Sequence, residues 1–81
     1  MTREEISGIL KAYIQQSILA DERTIDERTD LREAGIDSFS IVEIILFIET
    51  RFGVAIPDEK LLPENFANVY GLSAIVYELQ P

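Results

Sequence analysis

Apolar positions fall into three helical stripes separated by polar and turn-rich stretches. The first is Ile6, Ile9, Leu10, Tyr13, Ile14 and Ile18, spaced for one face of a helix. Thr2 and Glu5 stand ahead of it at capping-box spacing, so the helix is predicted to start with Thr2 as its N-cap. Gly8 falls inside this helix and should weaken it by up to ~1 kcal/mol relative to Ala. Close packing by a neighbouring helix is the expected reason for it.

Residues 20–36 read as a long loop, with Ile25 and Leu31 as apolar anchors to the core. A second helix is predicted from about Ser38 to Phe52, capped by Asp37 or Ser38 and stopped by Gly53. Its core stripe would be Ile41, Ile44, Ile45, Ile48 and Phe52. Phe39, Val42, Leu46 and Phe47 lie on its other sides. A helix apolar nearly all round is normally buried on all sides, and a chain of 81 residues is too short to enclose one. Part of this surface is therefore expected to bind a protein partner.

Val54 to Pro57 reads as an extended link, because Pro57 pushes Ile56 out of helical geometry. Asp58 to Leu62 should form a brief helical turn ended by Pro63. Asn68 is the expected N-cap of a last helix through Leu79, with Val69, Leu72, Ile75, Val76 and Leu79 facing inward. The predicted fold is all-α. It is a small four-helix bundle of three longer helices and one short, with a long loop between helices one and two, in a single domain over residues 1–81.

Composition narrows the chemistry. The chain has 15 acidic and 7 basic residues, a formal net charge of −8. Such a charge repels nucleic acid and anionic membrane and favours protein partners with basic patches. There is no Cys and no His, so disulfides, soft or imidazole metal sites and a Ser–His catalytic pair are excluded. No apolar run approaches membrane-spanning length, and the N-terminus lacks a signal-peptide pattern. An untargeted, cytoplasmic, monomeric protein without membrane insertion is expected. Asp21, Asp26 and Asp30 raise the thought of a calcium loop, but they lack EF-hand spacing, the central glycine and the closing glutamate. No metal site is predicted.

The stretch Gly35-Ile36-Asp37-Ser38-Phe39 holds the most chemistry. Taken alone, Ser38 has three readings. It is an ordinary N-cap serine, a nucleophile, or an acceptor for a phosphate-linked group. The nucleophile reading lacks the Gly-x-Ser-x-Gly elbow and any base. As an acceptor at a helix N-terminus, Ser38 would gain ~0.3–1 kcal/mol toward holding an added phosphodiester.

This stretch resembles the modification site of acyl and peptidyl carrier proteins, in which an aspartate and serine precede a large apolar residue. The resemblance extends through Val42-Glu43, Phe52-Gly53 and Ile56-Pro57-Asp58-Glu59, back to Asp30-Leu31, and on to Phe66, Val69 and Leu72. It implies that Ser38 carries 4′-phosphopantetheine, transferred covalently from coenzyme A by a phosphopantetheinyl transferase. Asp37 would help that enzyme bind, through its magnesium ion. The arm's thiol would hold acyl, aminoacyl or polyketide intermediates as thioesters, and loading, synthase and transferase enzymes would act on them. The protein would be a carrier, not an enzyme, with no catalytic residue of its own.

Helix two would be the recognition helix, with Glu43 and Glu49 meeting partner cations and Phe39, Val42, Leu46 and Phe47 supplying apolar contacts. Ile41 would lie near the mouth of an acyl-holding cavity. The chain departs from the housekeeping fatty-acid pattern: Ser40, Thr50 and Arg51 stand where acids are usual, and Phe47 where a small residue is common. That points to a specialised pathway. The competing class is a carrier-fold interaction module that is never modified.

Overall fold

The computed structural model describes residues 1–19 and 24–80. Its regular elements are all helical: α1 (Arg3–Tyr13), α2 (Ser38–Phe52) and α3 (Val69–Leu79), with short 3₁₀ turns at Asp58–Lys60 and Pro63–Phe66. α1 begins with the expected capping box. The Glu5 N–H donates to Thr2 Oγ1 at 3.2 Å, and the Thr2 N–H donates to Glu5 Oε1 at 2.8 Å.

Each predicted stripe supplies the core. Ile6, Leu10 and Ile14 meet Ile44 and Ile48 of α2 and Val69, Leu72 and Val76 of α3, all essentially inaccessible to water. α1 packs against α3. Ser7 and Ser73 are buried among these helices, and the Ser73 hydroxyl donates to the Tyr70 carbonyl at 3.0 Å, so its polar atom is satisfied.

Three local features differ from expectation. The first helix continues past Tyr13 as a π-helical segment, Ile14–Leu19, a widening that hydrophobic spacing does not encode. Pro63 opens a second 3₁₀ turn instead of only closing the first, because proline suits the first position of a helical turn. Gly8 is exposed, and a β-carbon there would meet nothing within 4 Å, so no neighbouring helix requires it. The close approach falls at Gly71, where a β-carbon would lie 3.1 Å from the Asn65 carbonyl oxygen.

The loop ahead of α2 is bound to the start of α3. The Leu31 N–H donates to Ala67 O at 2.9 Å, and the Tyr70 N–H donates to Glu27 O at 3.0 Å. Ile25 and Leu31 are both buried, as anchors should be. The Arg3 and Arg28 guanidiniums stand 4.1 and 4.0 Å from the centre of the Tyr70 ring, tying the loop, α1 and α3 together. The first loop residues, Asp21 among them, lie outside the described part. Among the described residues, no cluster of acids is arranged to hold a metal ion.

Candidate functional site

The turn before α2 sets the geometry around Ser38. Asp30 Oδ1 accepts from the N–H groups of Arg32 and Glu33 at 2.9 and 3.2 Å, and the Gly35 N–H donates to Arg32 O at 3.0 Å. Gly35 sits at φ 108°, a backbone conformation that other residues rarely adopt. Leu31, Ala34 and Ile36 are buried beneath this turn and fix it to the core.

α2 then starts at Ser38, with Asp37 as its N-cap. Asp37 has extended backbone, and its Oδ1 accepts from the Ser40 N–H at 2.9 Å. The reading of Ser38 as cap is thereby removed. Ser38 is the first helical residue, is exposed, and its hydroxyl has no hydrogen-bond partner among the described residues. The Ser40 N–H bonding to Asp37 holds that carboxyl below its ordinary range, so a negative charge stays beside the serine.

Ser38 also borders an open groove of about 720 Å³. Ile41 and Ile45 of α2 form one wall, and Leu61, Pro63 and Phe66 of the 3₁₀ region form the other. Ile41, expected near the mouth of an acyl-holding cavity, is one of the residues lining this groove. Ile45, Phe66 and the charged groups Asp30, Arg32 and Glu64 were not foreseen at this site. Glu64 and Phe66 are brought to Ser38 from a segment distant in sequence, whereas Asp30, Arg32 and Ile45 come from the adjoining turn and from α2 itself, and only Asp30 and Phe66 fell within the quoted resemblance.

The residues expected to face partners divide into two groups. Phe39, Val42 and Leu46 are 72%, 54% and 57% exposed and recur on one side of α2. Glu43 is half-buried near Tyr13, whose hydroxyl is pushed above its ordinary pKa first by burial and then by the Glu43 charge.

Phe47 and Glu49, also expected to meet partners, are half-buried and make contacts within the chain. Phe47 packs on the core and stacks on Tyr13, with ring centres 3.9 Å apart and planes within 8°. Glu49 Oε2 accepts from the Ile56 N–H at 3.2 Å and so fastens the extended link to the end of α2. Gly53 ends the helix in the left-handed region at φ 67°.

Comparison with known proteins gives this arrangement its family. A family model described as "Phosphopantetheine attachment site" matches residues 8–76. Aminoacyl carrier protein 1 of Bradyrhizobium diazoefficiens is 32% identical over 80 residues, covering 98% of this chain and 87% of that protein. The acyl carrier protein of Helicobacter pylori strain G27 is 35% identical over 60 residues, covering 67% and 74%.

Among solved structures, an acyl carrier protein from Thermotoga maritima superposes with TM-score 0.75 at 25% identity, covering 95% of this chain and 88% of that one. A chain in the crystal structure of the Bradyrhizobium japonicum glycine:[carrier protein] ligase, complexed with its cognate carrier protein and a glycyl adenylate analogue, matches with TM-score 0.73. That match has 29% identity and covers 94% of this chain and 96% of that one. Family members are non-catalytic carriers that hold 4′-phosphopantetheine covalently. No described helix is long and apolar enough to cross a membrane. From the match over residues 8–76 and a relative 32% identical along almost the whole chain, this protein belongs to the acyl carrier protein family, the family of the phosphopantetheine attachment site.

Proposed function

We propose that Ser38 is the attachment point for 4′-phosphopantetheine and that residues 1–81 act as one carrier unit in the cytoplasm. The observation that carries this reading is the division of labour at the start of α2. Asp37 caps the helix, and the neighbouring Ser38 hydroxyl stands exposed beside the groove. A phosphopantetheinyl transferase would join this oxygen to the arm's phosphate as the pyrophosphate bond of coenzyme A breaks, releasing adenosine 3′,5′-bisphosphate and the serine proton. Asp37, ionised and adjacent, would help that enzyme bind through its magnesium ion. Once attached, the arm supplies a thiol that carries cargo as a thioester. The chain's own residues present it and raise its effective concentration at docked partners.

Phe39, Val42 and Leu46 form the apolar centre of the partner face, with Glu43 at its margin. Partners of opposite charge would be steered by the protein's net charge of −8. Among cargoes, an aminoacyl group in a dedicated pathway is the best supported. One relative aligned along nearly the whole chain is an aminoacyl carrier protein, and the carrier in a glycine:carrier protein ligase complex is a structural neighbour. Acyl carrier proteins aligned over similar shares of the chain make an acyl group the second reading.

Intact-mass spectrometry after incubation with coenzyme A, magnesium and a broad-specificity transferase tests the attachment. One added arm on the parent protein and none on Ser38→Ala is expected. Folded parent protein that gains no mass with several transferases would favour an unmodified interaction module. Offering the arm-bearing, unloaded form to an amino acid:carrier ligase and to an acyl:carrier synthetase then separates the cargo classes by mass.

A further inference from the structure

The groove beside Ser38 carries more charge than a passage for an apolar chain requires. Asp30, Asp37 and Glu64 line it together with, among the described residues, a single basic side chain, Arg32. Modification of Ser38 places a phosphodiester, a permanent anion, at this acidic position in a chain of net charge −8. The N-terminus of α2 offers partial positive charge, but the Asp37 carboxylate already occupies the Ser40 N–H there. A full counter-charge is wanted.

Arg32 is placed to supply it. Its backbone is held by Asp30 and by the Gly35 N–H, within a turn whose apolar side chains are buried. Its guanidinium is exposed and has no hydrogen bond or ion pair among the described residues. Other cations are engaged elsewhere: Arg3 and Arg28 on Tyr70, Lys60 with Glu78 at 3.3 Å, and Arg51 near the Phe52 ring. Arginine's planar fork suits two phosphate oxygens at once.

We propose that Arg32 is a positioning residue for the arm: its guanidinium pairs with the phosphodiester on Ser38 Oγ and holds the base of the arm along the groove. This rests on Ser38 being the modified residue. Conversion to the arm-bearing form should therefore order the Arg32 side chain, and loss of Arg32 should loosen the phosphate without unfolding the protein.

The test uses arm-bearing parent protein, Arg32→Gln and Arg51→Gln. The last removes the same charge from the end of α2 far from Ser38. Intact mass is read first, and a parent protein that takes no arm overturns the Ser38 reading and this one with it. With the arm present, the Arg32 Nε–Hε resonance is expected to move more on modification than that of any other arginine. The phosphorus-31 resonance of Arg32→Gln should be displaced from the parent's, while that of Arg51→Gln coincides with it. An arm on the protein with no Arg32 response, or equal phosphorus displacement in both variants, overturns the Arg32 proposal alone. The unmodified Arg32→Gln protein should melt with the parent, which separates positioning from a structural role.

Discussion

Replacing Ser38 and Asp37 separately by Ala distinguishes chemistry from architecture at neighbouring residues. The Ser38 side chain is exposed, occupies the first turn of α2 and makes no hydrogen bond among the described residues. Its removal leaves no buried group unpaired and slightly favours the helix. The expected change in stability is within about 0.5 kcal/mol, as for surface positions away from special features. For a domain of this size that is a melting shift of no more than about 2–4 °C. Asp37→Ala removes the acceptor of the Ser40 N–H and should lower the melting temperature beyond that band. Asp37→Asn keeps an oxygen in place and should recover most of the loss. The assay is thermal unfolding by circular dichroism on unmodified protein, followed by intact mass after transferase treatment. Ser38→Ala should fold normally and take no arm; Asp37→Asn should fold normally and take it more slowly. A melting loss in Ser38→Ala as large as in Asp37→Ala would show that the serine caps the helix. An arm on Ser38→Ala would show that another hydroxyl is the acceptor.

Gly8→Ala should stabilise the protein by about 0.5–1 kcal/mol, a rise of about 2–8 °C in melting temperature, because the new methyl enters open space within α1. Gly71→Ala should gain nothing despite the same propensity, since its methyl would crowd the Asn65 carbonyl; a matching rise in Tm would contradict the packing described. Phe39→Ser with Leu46→Ser should cut kcat/KM for loading by a partner enzyme about tenfold at unchanged stability, while Phe47→Ser should lower stability through loss of the Tyr13 stack. Unchanged loading kinetics would remove the proposed face. Glu5, Asp26 and Asp37 are all held below their ordinary pKa, chiefly by backbone N–H donors of Thr2, Arg28 and Ser40 respectively. Their contribution is complete above their unfolded values, near 4.5 for Glu and 3.8 for Asp, and is lost as pH falls through the lower native values. Asp26→Asn with Asp37→Asn should flatten the loss of melting temperature below about pH 4, and parallel curves for variant and parent would refute this.

What could be read before folding was what local spacing controls. The Thr2–Glu5 box, the Gly53 stop and the Asn68 cap each depend on a few neighbouring residues, and each forms as expected. Asp37 and Ser38 are both good caps, so residue type alone left the helix start open. Backbone geometry decides it, with extended backbone at Asp37. Gly8 and Gly71 are equivalent as letters, and only tertiary packing shows that the second meets a carbonyl and the first meets solvent. The groove was illegible for the same reason, because Arg32, Ile45 and Phe66 come together only after the loop, α2 and the 3₁₀ turns have packed.

The second helix shows how far a pattern argument reaches. Its composition demanded more cover than the chain holds, and the structure distributes that demand by sector. Ile44 and Ile48 enter the core, Ile41 and Ile45 line the groove, and Phe47 and Phe52 form an aromatic contact with ring centres 6.3 Å apart. Phe39, Val42 and Leu46 remain in water. Core formation does not account for large apolar side chains at these three positions, because their burial contributes little to folding. Their contiguity along one side of the helix, beginning one residue after Ser38, is what the proposed docking of an enzyme to an arm on Ser38 requires. On this proposal stability and docking are separated around a single helix, and substitutions on its open side should change partner binding without changing the fold.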